Sequence, residues 1–360
     1  MINILYTVNG LRINGISAVI MQYIALLDRQ KYKVYIFTDE IAPKFLPELK
    51  KYGVTVICSN SRKKNQLRYV KELAYIIKNN HIDIIHAHGN SATLAVEMIV
   101  AKKYDVPVRI AHSHNTTCIH KYYDKFLRFP LYHSYTHGVS CGDAAGKWLF
   151  GRRPFLVLKN GLKLDNYRYN INDRYQLRKE LNLENRLIFG HVGRFTEQKN
   201  HKFIIEVFEK YSKKNSNAVL ILVGDGPLKN SIEKMVHEKG LESKVIFYGT
   251  TSEMKAIYSI MDIFIFPSKF EGVPLTLIEA QANGLECIIS NRISKEVIKS
   301  ECIKVCDIED IEEWVSCLDN LVDYNRREVS RSNITRLKNA GFGIEQIKEA
   351  LNQKGYLFTK

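Results

Sequence analysis

Residues 262–279, DIFIFPSKFEGVPLTLIE, contain the pattern from which the fold is predicted. Apolar residues run up to Phe266 without polar alternation, as in a parallel strand that is buried on both faces. Pro267 ends that strand, and Pro274 suits the first turn of a following helix. The stretch therefore predicts a strand, a loop and a helix, which together form part of a βαβ unit.

The same alternation of apolar runs and amphipathic stretches recurs through the chain and predicts a doubly wound α/β fold. Because 360 residues exceed the usual size of a single core, we expect two Rossmann-like domains with parallel sheets that face a central cleft. The predicted strands are 2–8, 33–38, 54–58, 82–87 and 107–112 in the first half, and 187–192, 218–223, 244–248, 262–266 and 286–290 in the second.

A turn at Asn160-Gly161, followed by a polar stretch, marks the predicted domain junction. We therefore assign residues 1–165 to a first domain and 166–340 to a second domain. Residues 341–360 have a helical pattern and form a predicted C-terminal helix.

Composition excludes several classes of protein. Apolar residues make up 45% and charged residues 25% of the chain, as in ordinary globular proteins. The seven cysteines include no CxxC pair, which favours reduced core residues over a disulfide framework or a structural zinc site. No apolar run reaches the ~18–20 residues of a membrane-spanning helix, and the start lacks a basic signal-peptide region. A cytoplasmic location is therefore expected.

The formal charge of +15 is concentrated in the first half of the chain. Residues 1–165 contain 24 Lys and Arg against 11 Asp and Glu, whereas residues 166–360 contain 29 against 27. This asymmetry indicates an anionic partner for the first half, such as a membrane surface, a phosphorylated ligand or a nucleic acid.

Two glutamates stand eight residues apart around the predicted helix start at 274–275. Glu271 lies in the loop and Glu279 about two turns into the helix. A helix N-terminus offers free N–H groups to an anion, and two carboxylates can accept hydrogen bonds from the hydroxyls of a sugar-rich ligand. The alternative is that both glutamates are solvated.

A second polar cluster follows the strand at 187–192. Arg194 lies directly after the strand, and Lys199 comes five residues later at a predicted helix start. Two cations at such a turn suit a pyrophosphate group, although a solvated loop with incidental charges would give the same pattern. The loop 223–227, Val-Gly-Asp-Gly-Pro, suits either a close approach to a phosphate or a tight turn before a helix.

Together these motifs resemble those of retaining glycosyltransferases of family 4, which have the GT-B fold. Glu271 and Glu279 resemble the family's E-x7-E signature, and Gly193-Arg194 with Lys199 its G-R-x-x-x-x-K motif. The loop 223–227 resembles its V-G-D-G-P turn, and Asn14-Gly15-Ile16 occupies the place of its Gly-Gly-Ile loop. Residues 109–116, RIAHSHNT, resemble members that assemble capsular or exopolysaccharide repeat units.

The resemblance implies a role for each matching residue. Arg194 and Lys199 would neutralise the nucleotide diphosphate as the leaving group, and Glu279 would bind the ribose hydroxyls. Glu271 would contact the donor sugar. The other implied donor-binding residues are Gly15, Gly272, Val273, Pro274 and Leu275. Asn14 departs from the family's first glycine, and we expect it to use the left-handed geometry that asparagine tolerates.

The reaction implied by the resemblance transfers a hexosyl group from a nucleoside-diphosphate sugar, expected to be a UDP-sugar, with retention at the anomeric carbon. The implied acceptor is a lipid-linked saccharide, and no metal or other cofactor is expected because the Arg/Lys pair replaces Mg²⁺. A GT-B-like UDP-sugar epimerase and a non-catalytic sugar-nucleotide-binding subunit are alternatives.

Histidines follow or end two predicted strands of the first domain. His114 matches the position of a cleft histidine in the family, which implies a catalytic role near the transferred sugar. His86 and His88 form one His-x-His pair, and His112 and His114 form a second. Such pairs can bind a metal. The sequence favours no metal site, because no cysteine or carboxylate nearby completes a ligand shell.

A basic and aromatic stretch, 119–130, predicts a helix with two adjacent stripes. Its cations are Lys121, Lys125 and Arg128, and its aromatic residues at the same spacing are Tyr122, Phe126 and Phe129. The two stripes suit a helix that lies on an anionic membrane, which would place the protein at the inner membrane face. The alternative is a helix with its aromatic residues in the core. No RNA- or DNA-binding motif accompanies the charge.

Overall fold

A computed structural model describes residues 1–12, 14–59, 61–116, 118, 121–319, 324–353 and 356. The chain divides into two compact units. The first unit comprises Met1–Gly161 together with Ile344–Lys360, and the second comprises Leu162–Gly343. Each unit contains one parallel sheet with apolar clusters on both faces, which is the doubly wound arrangement.

The sheet of the first unit has seven strands in the order β3-β2-β1-β4-β5-β6-β7. All of its strand pairs are parallel. The strand order reverses between β1 and β4, so the loops after these two strands form the topological switch point of the unit. The strands are β1 Ile2–Val8, β2 Tyr32–Thr38, β3 Thr55–Cys58, β4 Ile84–Gly89, β5 Val108–Ser113, β6 His137–Ser140 and β7 Leu156–Val157.

Helix α4 is an example of a helix in the first unit that buries an apolar face against the sheet. In α4 the buried residues Tyr69, Leu73, Ile76 and Ile77 recur every three to four positions, and Asn65 caps the helix by accepting from the Arg68 N–H at 3.0 Å. The helices are α1 Gly15–Leu26, α2 Leu46–Lys51, α3 Ser61–Lys64, α4 Gln66–Asn79, α5 Ala95–Lys103, α6 Lys121–Tyr132 and α7 Asp143–Phe150, with 3₁₀ turns at Pro43–Phe45 and Ala92–Leu94.

The sheet of the second unit has six parallel strands in the order β10-β9-β8-β11-β12-β13. Here the order reverses between β8 and β11, which are hydrogen-bonded neighbours. The strands are β8 Leu187–Val192, β9 Ala218–Val223, β10 Val245–Gly249, β11 Ile263–Phe266, β12 Glu286–Ser290 and β13 Ile303–Cys306.

The helices of the second unit cover both faces of this sheet. The helix predicted after Pro274 begins at Leu275, directly after the loop that follows β11. The helices are α8 Ile171–Glu180, α9 His201–Lys214, α10 Lys229–Glu238, α11 Met254–Ile260, α12 Leu275–Ala282, α13 Ile311–Asp319 and α14 Arg326–Leu337, with 3₁₀ turns at Leu164–Tyr167 and Lys295–Val297 and a π-type turn at Lys338–Phe342.

The C-terminal segment belongs to the first unit. It contains α15 Ile344–Lys348 and a π-type turn at Glu349–Gln353. Its residues Ile347, Leu351 and Tyr356 are buried in the same apolar cluster as β1 and α1. The unit boundaries lie at 161/162 and 343/344, four and three residues from the predicted junctions at 165/166 and 340/341.

Three strands were not predicted from the sequence: β6, β7 and β13. They have four, two and four residues. None is a continuous apolar run: β6 contains His137 and Ser140, β13 contains Lys304, and β7 has only two residues. The ten predicted strands are confirmed, with ends shifted by at most two residues. None of the helices in the described ranges is long and apolar enough to cross a membrane.

Candidate active site

The loops after β8 and β11 form the switch point of the second unit. In open α/β sheets this position, at the carboxyl ends of the strands, is where ligands bind. The loop after β8 contains Arg194 and Lys199, and the loop after β11 contains Glu271. The two motifs predicted from the sequence are therefore neighbours because their strands are neighbours.

Lys199 and Glu271 form an ion pair between these loops. The distance from Lys199 Nζ to Glu271 Oε1 is 2.6 Å, and the two side chains are only 15% and 10% exposed. Lys199 Nζ also lies 4.6 Å from the centre of the Phe266 ring, a cation–π contact. Lys199, predicted to neutralise the diphosphate, and Glu271, predicted to contact the donor sugar, thus share one partly buried site.

Arg194 lies in the same loop as Lys199 but is exposed to solvent. The backbone of this loop is tied to the neighbouring loop through Gln198. The Gln198 Nε2 group donates to the Phe270 carbonyl at 2.8 Å, and the Lys269 N–H donates to the Gln198 carbonyl at 2.8 Å. Gln198 had no role in the sequence analysis, and it holds together the two loops that contain the charged residues.

The loop 223–227 packs its backbone against the loop of Arg194. Gly224 has a φ of +139°, and a Cβ atom there would lie 2.1 Å from the Gly193 carbonyl oxygen. A Cβ atom on Gly226 would lie 2.6 Å from the Phe195 carbonyl oxygen. The Phe195 N–H in turn donates to the Asp225 carbonyl at 3.0 Å. The two glycines therefore serve a close approach between backbones, in addition to starting a turn.

Glu279 is buried in the second turn of α12, and its carboxyl group accepts a hydrogen bond from the Tyr258 hydroxyl at 2.8 Å. Burial raises the pKa of Glu279 from 4.5 to about 7, against the opposing effect of hydrogen bonds from Tyr258 and Tyr167. The alternative of a solvated glutamate is thus wrong for this residue. A buried carboxyl held by two tyrosines has a fixed position from which to accept ligand hydroxyls.

The N-terminus of α12 has no side-chain cap. Pro274 occupies the cap position without a side-chain hydrogen bond, and the first turn contains no acidic residue. The first amides of a helix have no intrahelical acceptor, so the amides of Leu275 and its neighbours can bind a ligand oxygen. The predicted residues Gly272 and Val273 lie in the loop immediately before this turn and are half-buried.

Polar groups missed by the sequence analysis also lie near this switch point. The hydroxyls of Ser268 and Thr276 are buried and have no hydrogen-bond partner among the described residues. The same is true of both ring nitrogens of His201, the first residue of α9, whose ring stacks on Phe195 with 4.0 Å between centroids. The signal available in the sequence was their place in the loops and first helical turns that follow strands β8 and β11.

Four histidines lie on the neighbouring strands β4 and β5 of the first unit or directly after them, next to the reversal of strand order between β1 and β4. His86 Nε2 lies 3.0 Å from His112 Nδ1, and His88 Nδ1 lies 2.9 Å from His114 Nε2. Burial lowers the pKa of all four rings, that of His114 to about 3. His114, the predicted catalytic residue, is therefore an uncharged imidazole paired with a second one.

The metal site considered from the sequence has three possible ligands in the described residues. Ring nitrogens of His86, His88 and His112 all lie within 4.8 Å of one another. His86 uses both of its nitrogens in hydrogen bonds, since Nδ1 lies 2.9 Å from the Tyr356 hydroxyl. His86 therefore has no free ring nitrogen, whereas His88 and His112 each have a buried Nε2 atom without a hydrogen-bond partner among the described residues.

Gly15 is the first residue of α1, and it has open space where a Cβ atom would be. Asn14 caps this helix by accepting from the Ser17 N–H at 2.9 Å. Its φ of −154° is extended, so the left-handed geometry expected for Asn14 is wrong. Asparagine suits this position because its side chain caps the helix.

Comparisons with known proteins agree with this geometry. Residues 13–150 match the model of Glycosyltransferase Family 4, and residues 173–331 match that of Glycosyl transferases group 1. Over 311 residues the chain is 32% identical to the protein named glycosyltransferase EpsF in Bacillus subtilis (strain 168), covering 82% of this chain and 80% of that protein. This chain belongs to glycosyltransferase family 4.

Two further relatives extend the comparison. The UDP-Gal:alpha-D-GlcNAc-diphosphoundecaprenol alpha-1,3-galactosyltransferase of Escherichia coli is 24% identical over 358 residues, covering 92% of this chain and 91% of the relative. The crystal structure of Anabaena Alr3699/HepE in complex with UDP and glucose has a TM-score of 0.79 at 16% identity, covering 98% and 99% of the two chains. The latter likeness confirms the GT-B fold of this family 4 glycosyltransferase.

Helix α6 of the glycosyltransferase presents aromatic side chains to solvent. Tyr122, Phe126 and Phe129 are 85%, 79% and 72% exposed, so the alternative that they belong to the core is wrong. Lys125 is exposed, but Arg128 pairs with Asp124 at 2.8 Å and donates to the Trp148 carbonyl. The Lys121 side chain lies outside the described residues. The aromatic stripe is therefore present, while Arg128 is held against the protein.

A cavity of about 930 Å³ lies beside β3 and α4 in the first unit. Its lining includes the cations Lys64, Arg68 and Lys71 and one carboxylate, Glu72. Glu72 is already bound by Arg68 at 2.7 Å and by the Ser61 hydroxyl at 2.6 Å. Part of the excess charge of the first unit is thus gathered around one cavity.

Proposed function

We propose that this family 4 glycosyltransferase transfers a hexosyl group from a UDP-sugar to a lipid-linked saccharide, with retention at the anomeric carbon, during capsular or exopolysaccharide assembly. The observation that carries the proposal is the site at the switch point of the second unit, where Lys199, Glu271 and Glu279 are held by neighbouring elements. The name of the Escherichia coli relative supports a UDP-sugar donor and a diphosphate-linked lipid acceptor.

The donor diphosphate would be neutralised by Arg194 and Lys199. Lys199 is partly buried, where an interaction with phosphate is less screened than at the surface. Arg194 is exposed and offers a planar guanidinium for a bidentate contact. Two such cations can stabilise the departing UDP without a metal ion, and electrostatic stabilisation of this kind is a large part of catalysis.

The donor sugar and ribose would be oriented by the two glutamates. Glu271 lies beside Lys199, which places a hydrogen-bond acceptor next to the proposed phosphate site. The backbone N–H groups of Gly272, Val273 and Leu275 would help to orient the ring, and Pro274 between them has no N–H to donate. Glu279 would accept from the ribose hydroxyls in its ionised form, so donor binding should be stronger above the pKa of about 7 than below it.

Retention would result because the acceptor hydroxyl attacks the same face of the sugar from which UDP departs. The departing phosphate takes the acceptor's proton, so no separate enzymic base is needed. His114 of the first unit would donate a hydrogen bond to the reacting sugar or the acceptor, and Gly15 would let the first loop approach the phosphates. The low pKa of His114 argues against a role as a charged acid.

The acceptor and the membrane would meet the basic first unit. The exposed aromatic residues of α6, with Lys125, suit insertion at the inner face of an anionic membrane. The cavity lined by Lys64, Arg68 and Lys71 suits the phosphate groups of the acceptor. Replacing Lys64 and Lys71 with Glu should raise KM for the lipid-linked acceptor and leave KM for the donor unchanged, whereas Lys50→Glu, outside the cavity, should change neither.

The experiment that tests the function is incubation of the full chain with radiolabelled UDP-glucose, UDP-galactose and UDP-N-acetylglucosamine, with and without a lipid-diphosphate-linked saccharide. We expect acceptor-dependent transfer, with an α-linked product from the α-linked donor by NMR. Interconversion of UDP-sugars without acceptor would instead identify an epimerase. Donor binding without turnover on any acceptor would identify a non-catalytic subunit.

A further inference from the structure

The pairing of His88 with His114 leaves only one nitrogen of His114 for a ligand. The backbone N–H of His114 donates to the backbone carbonyl of Gly89 at 3.1 Å, which anchors this residue to the end of β4. Its Nε2 atom lies 2.9 Å from His88 Nδ1. Any contact from His114 to substrate must therefore be made through Nδ1.

The other nitrogen of His88 determines the direction of this hydrogen bond. His88 Nε2 is buried and has no partner among the described residues. If His88 Nε2 carried the proton, a buried N–H donor would be left unpaired, which is costly and rare in proteins. With the proton on Nδ1, His88 donates to His114 Nε2, and His114 must carry its own proton on Nδ1.

The same argument, that a buried N–H needs an acceptor, applies independently to the pair of His86 and His112. His112 Nε2 is also buried without a partner, which puts the proton of His112 on Nδ1, where it donates to His86 Nε2. His86 then carries its proton on Nδ1 and donates to the Tyr356 hydroxyl at 2.9 Å. The Tyr356 hydroxyl donates onward to the Tyr6 hydroxyl at 2.7 Å. The protons on His112, His86 and Tyr356 therefore each have an acceptor.

The surroundings keep these rings uncharged. Among the described residues, the rings that contact His88 and His114 are Tyr6 from β1, Tyr23 from α1, and His86 and His112 from the same two strands. None of them supplies a negative charge to balance an imidazolium at neutral pH. The lowered pKa values of all four histidines agree with this environment.

We propose that His88 is a positioning residue that fixes His114 as the neutral, Nδ1-protonated tautomer, so that His114 offers a single N–H donor to substrate. The part of this inference that concerns substrate rests on the proposed function. The tautomer assignment rests only on the hydrogen bonds and burial within the first unit. In water imidazole is free to exchange between its two tautomers, so a partner that selects one preorganises the donor.

The direct test is NMR of the full chain labelled with ¹⁵N-histidine, using one-bond and long-range ¹⁵N–¹H correlations within the rings. The His114 signals are assigned by their disappearance in His114→Gln. We expect a protonated Nδ1 and a bare Nε2 for His114 throughout pH 5–9. A proton on Nε2, a doubly protonated ring in that range, or a metal bound by His88 in the purified protein would overturn the proposal.

Two substitutions of His88 add a kinetic readout. His88→Leu removes the donor, and we expect kcat/KM to fall ~10-fold, the equivalent of one lost hydrogen bond, with both tautomers of His114 visible. His88→Asn keeps an N–H donor close to the position of Nδ1, and it should restore both the single tautomer and most of the activity. The matched control is His237→Asn and His237→Leu, at an exposed histidine on α10 in the second unit, which should change nothing.

The outcomes separate the two proposals. If His88→Leu does not fold, the wild-type spectrum and His88→Asn still decide the tautomer. If the protein transfers no sugar but His114 carries its proton on Nδ1, the proposed function fails and the tautomer assignment stands. Equal activity in His88→Leu and wild type would overturn the positioning role even with the expected tautomer.

Discussion

The two units place opposite chemistry near the middle of their sheets. In each sheet the strand order reverses once, and polar side chains gather toward the carboxyl ends of two neighbouring strands, β8 and β11 at the reversal of the second unit and β4 and β5 next to the reversal of the first. In the second unit these side chains are ionic, with Lys199 paired to Glu271. In the first unit they are stacked imidazoles, such as His88 and His114, with lowered pKa values. One fold thus supports a charged site built from loop residues and a neutral site built mainly from strand residues.

The difference matches the demands of the two proposed ligands. A nucleoside diphosphate is negatively charged, and the cations Arg194 and Lys199 can balance that charge. Sugar and acceptor hydroxyls are neutral and need hydrogen bonds of fixed direction, which paired imidazoles can supply. The net charges of the two halves show the opposite distribution. The half with the neutral histidines, residues 1–165, has the excess of cations. Local charge at the site and net charge of the domain are therefore separate properties.

The largest expected effect tests the ionic site. Lys199→Ala and Arg194→Ala should each lower kcat ~10²-fold or more, because each removes a cation that stabilises the leaving diphosphate. Transfer is measured with a radiolabelled UDP-sugar at saturating donor. Lys202→Ala, at an exposed lysine in the first turn of α9, is the matched control and should leave kcat unchanged. Unaltered turnover in both site variants would show that charge at this switch point has no catalytic role.

A second prediction concerns the backbone beneath that site. Gly224→Ala should destabilise the second unit by ~3 kcal/mol or more, because the new Cβ would meet the Gly193 carbonyl and the backbone has a positive φ. Gly240→Ala also has a positive φ but open space around it, so about 1–2 kcal/mol is expected. Urea unfolding of both variants measures the difference. Equal losses would mean that the loop 223–227 can move away from the loop of Arg194.

A third prediction follows from the pKa of Glu279, about 7 in the folded protein against an ordinary 4.5. Between these values the folded state binds more protons than the unfolded state, so stability must fall as pH rises from 4.5 to about 7 and then level off. Glu279→Gln removes this contribution. The Tm of the wild type minus that of Glu279→Gln should therefore decrease through this range, by differential scanning calorimetry. A difference that is constant with pH would contradict the burial of this carboxyl.

The smallest expected effect concerns helix α6 of the first unit, which lies apart from the histidines of β4 and β5. Lys125→Glu should weaken binding to vesicles containing phosphatidylglycerol by roughly fivefold to tenfold, and Phe126→Ser should weaken it further by removing an exposed aromatic anchor. Lys50→Glu, an equal change of charge on α2, is the control. Co-sedimentation at low and moderate salt measures binding. If all three variants bind as well as the wild type, α6 does not contact the membrane.

Most of the fold was predictable because buried parallel strands are continuous apolar runs. Strands β6 and β13 were missed because polar residues interrupt them, and β7 because it has only two residues, so the pairing of all three depends on the rest of the sheet. Loop residues such as Glu271 and Lys199 were predictable from their place after strands. Their contact at 2.6 Å was not, because it depends on β8 and β11 being neighbours in space.

Other parts of the site depend on tertiary contacts that have no sequence pattern. The pKa of Glu279 depends on burial and on Tyr258 and Tyr167, which precede it by 21 and 112 positions. The pairing of His88 with His114 depends on the register of β4 and β5. Alternation in each His-x-His pair showed which residues share a face of the sheet, but it did not show which imidazole rings would form hydrogen bonds with each other.

The C-terminal segment has a consequence for how the chain is completed during synthesis. Residues 162–343 form the second unit as one continuous stretch. The first unit begins the chain, yet Ile347, Leu351 and Tyr356 fill its core beside β1 and α1. On the ribosome, residues 1–161 therefore emerge first and must wait for the whole second unit to be translated before their own core is complete. Although its sequence comes later, the second unit has all its residues available before the first.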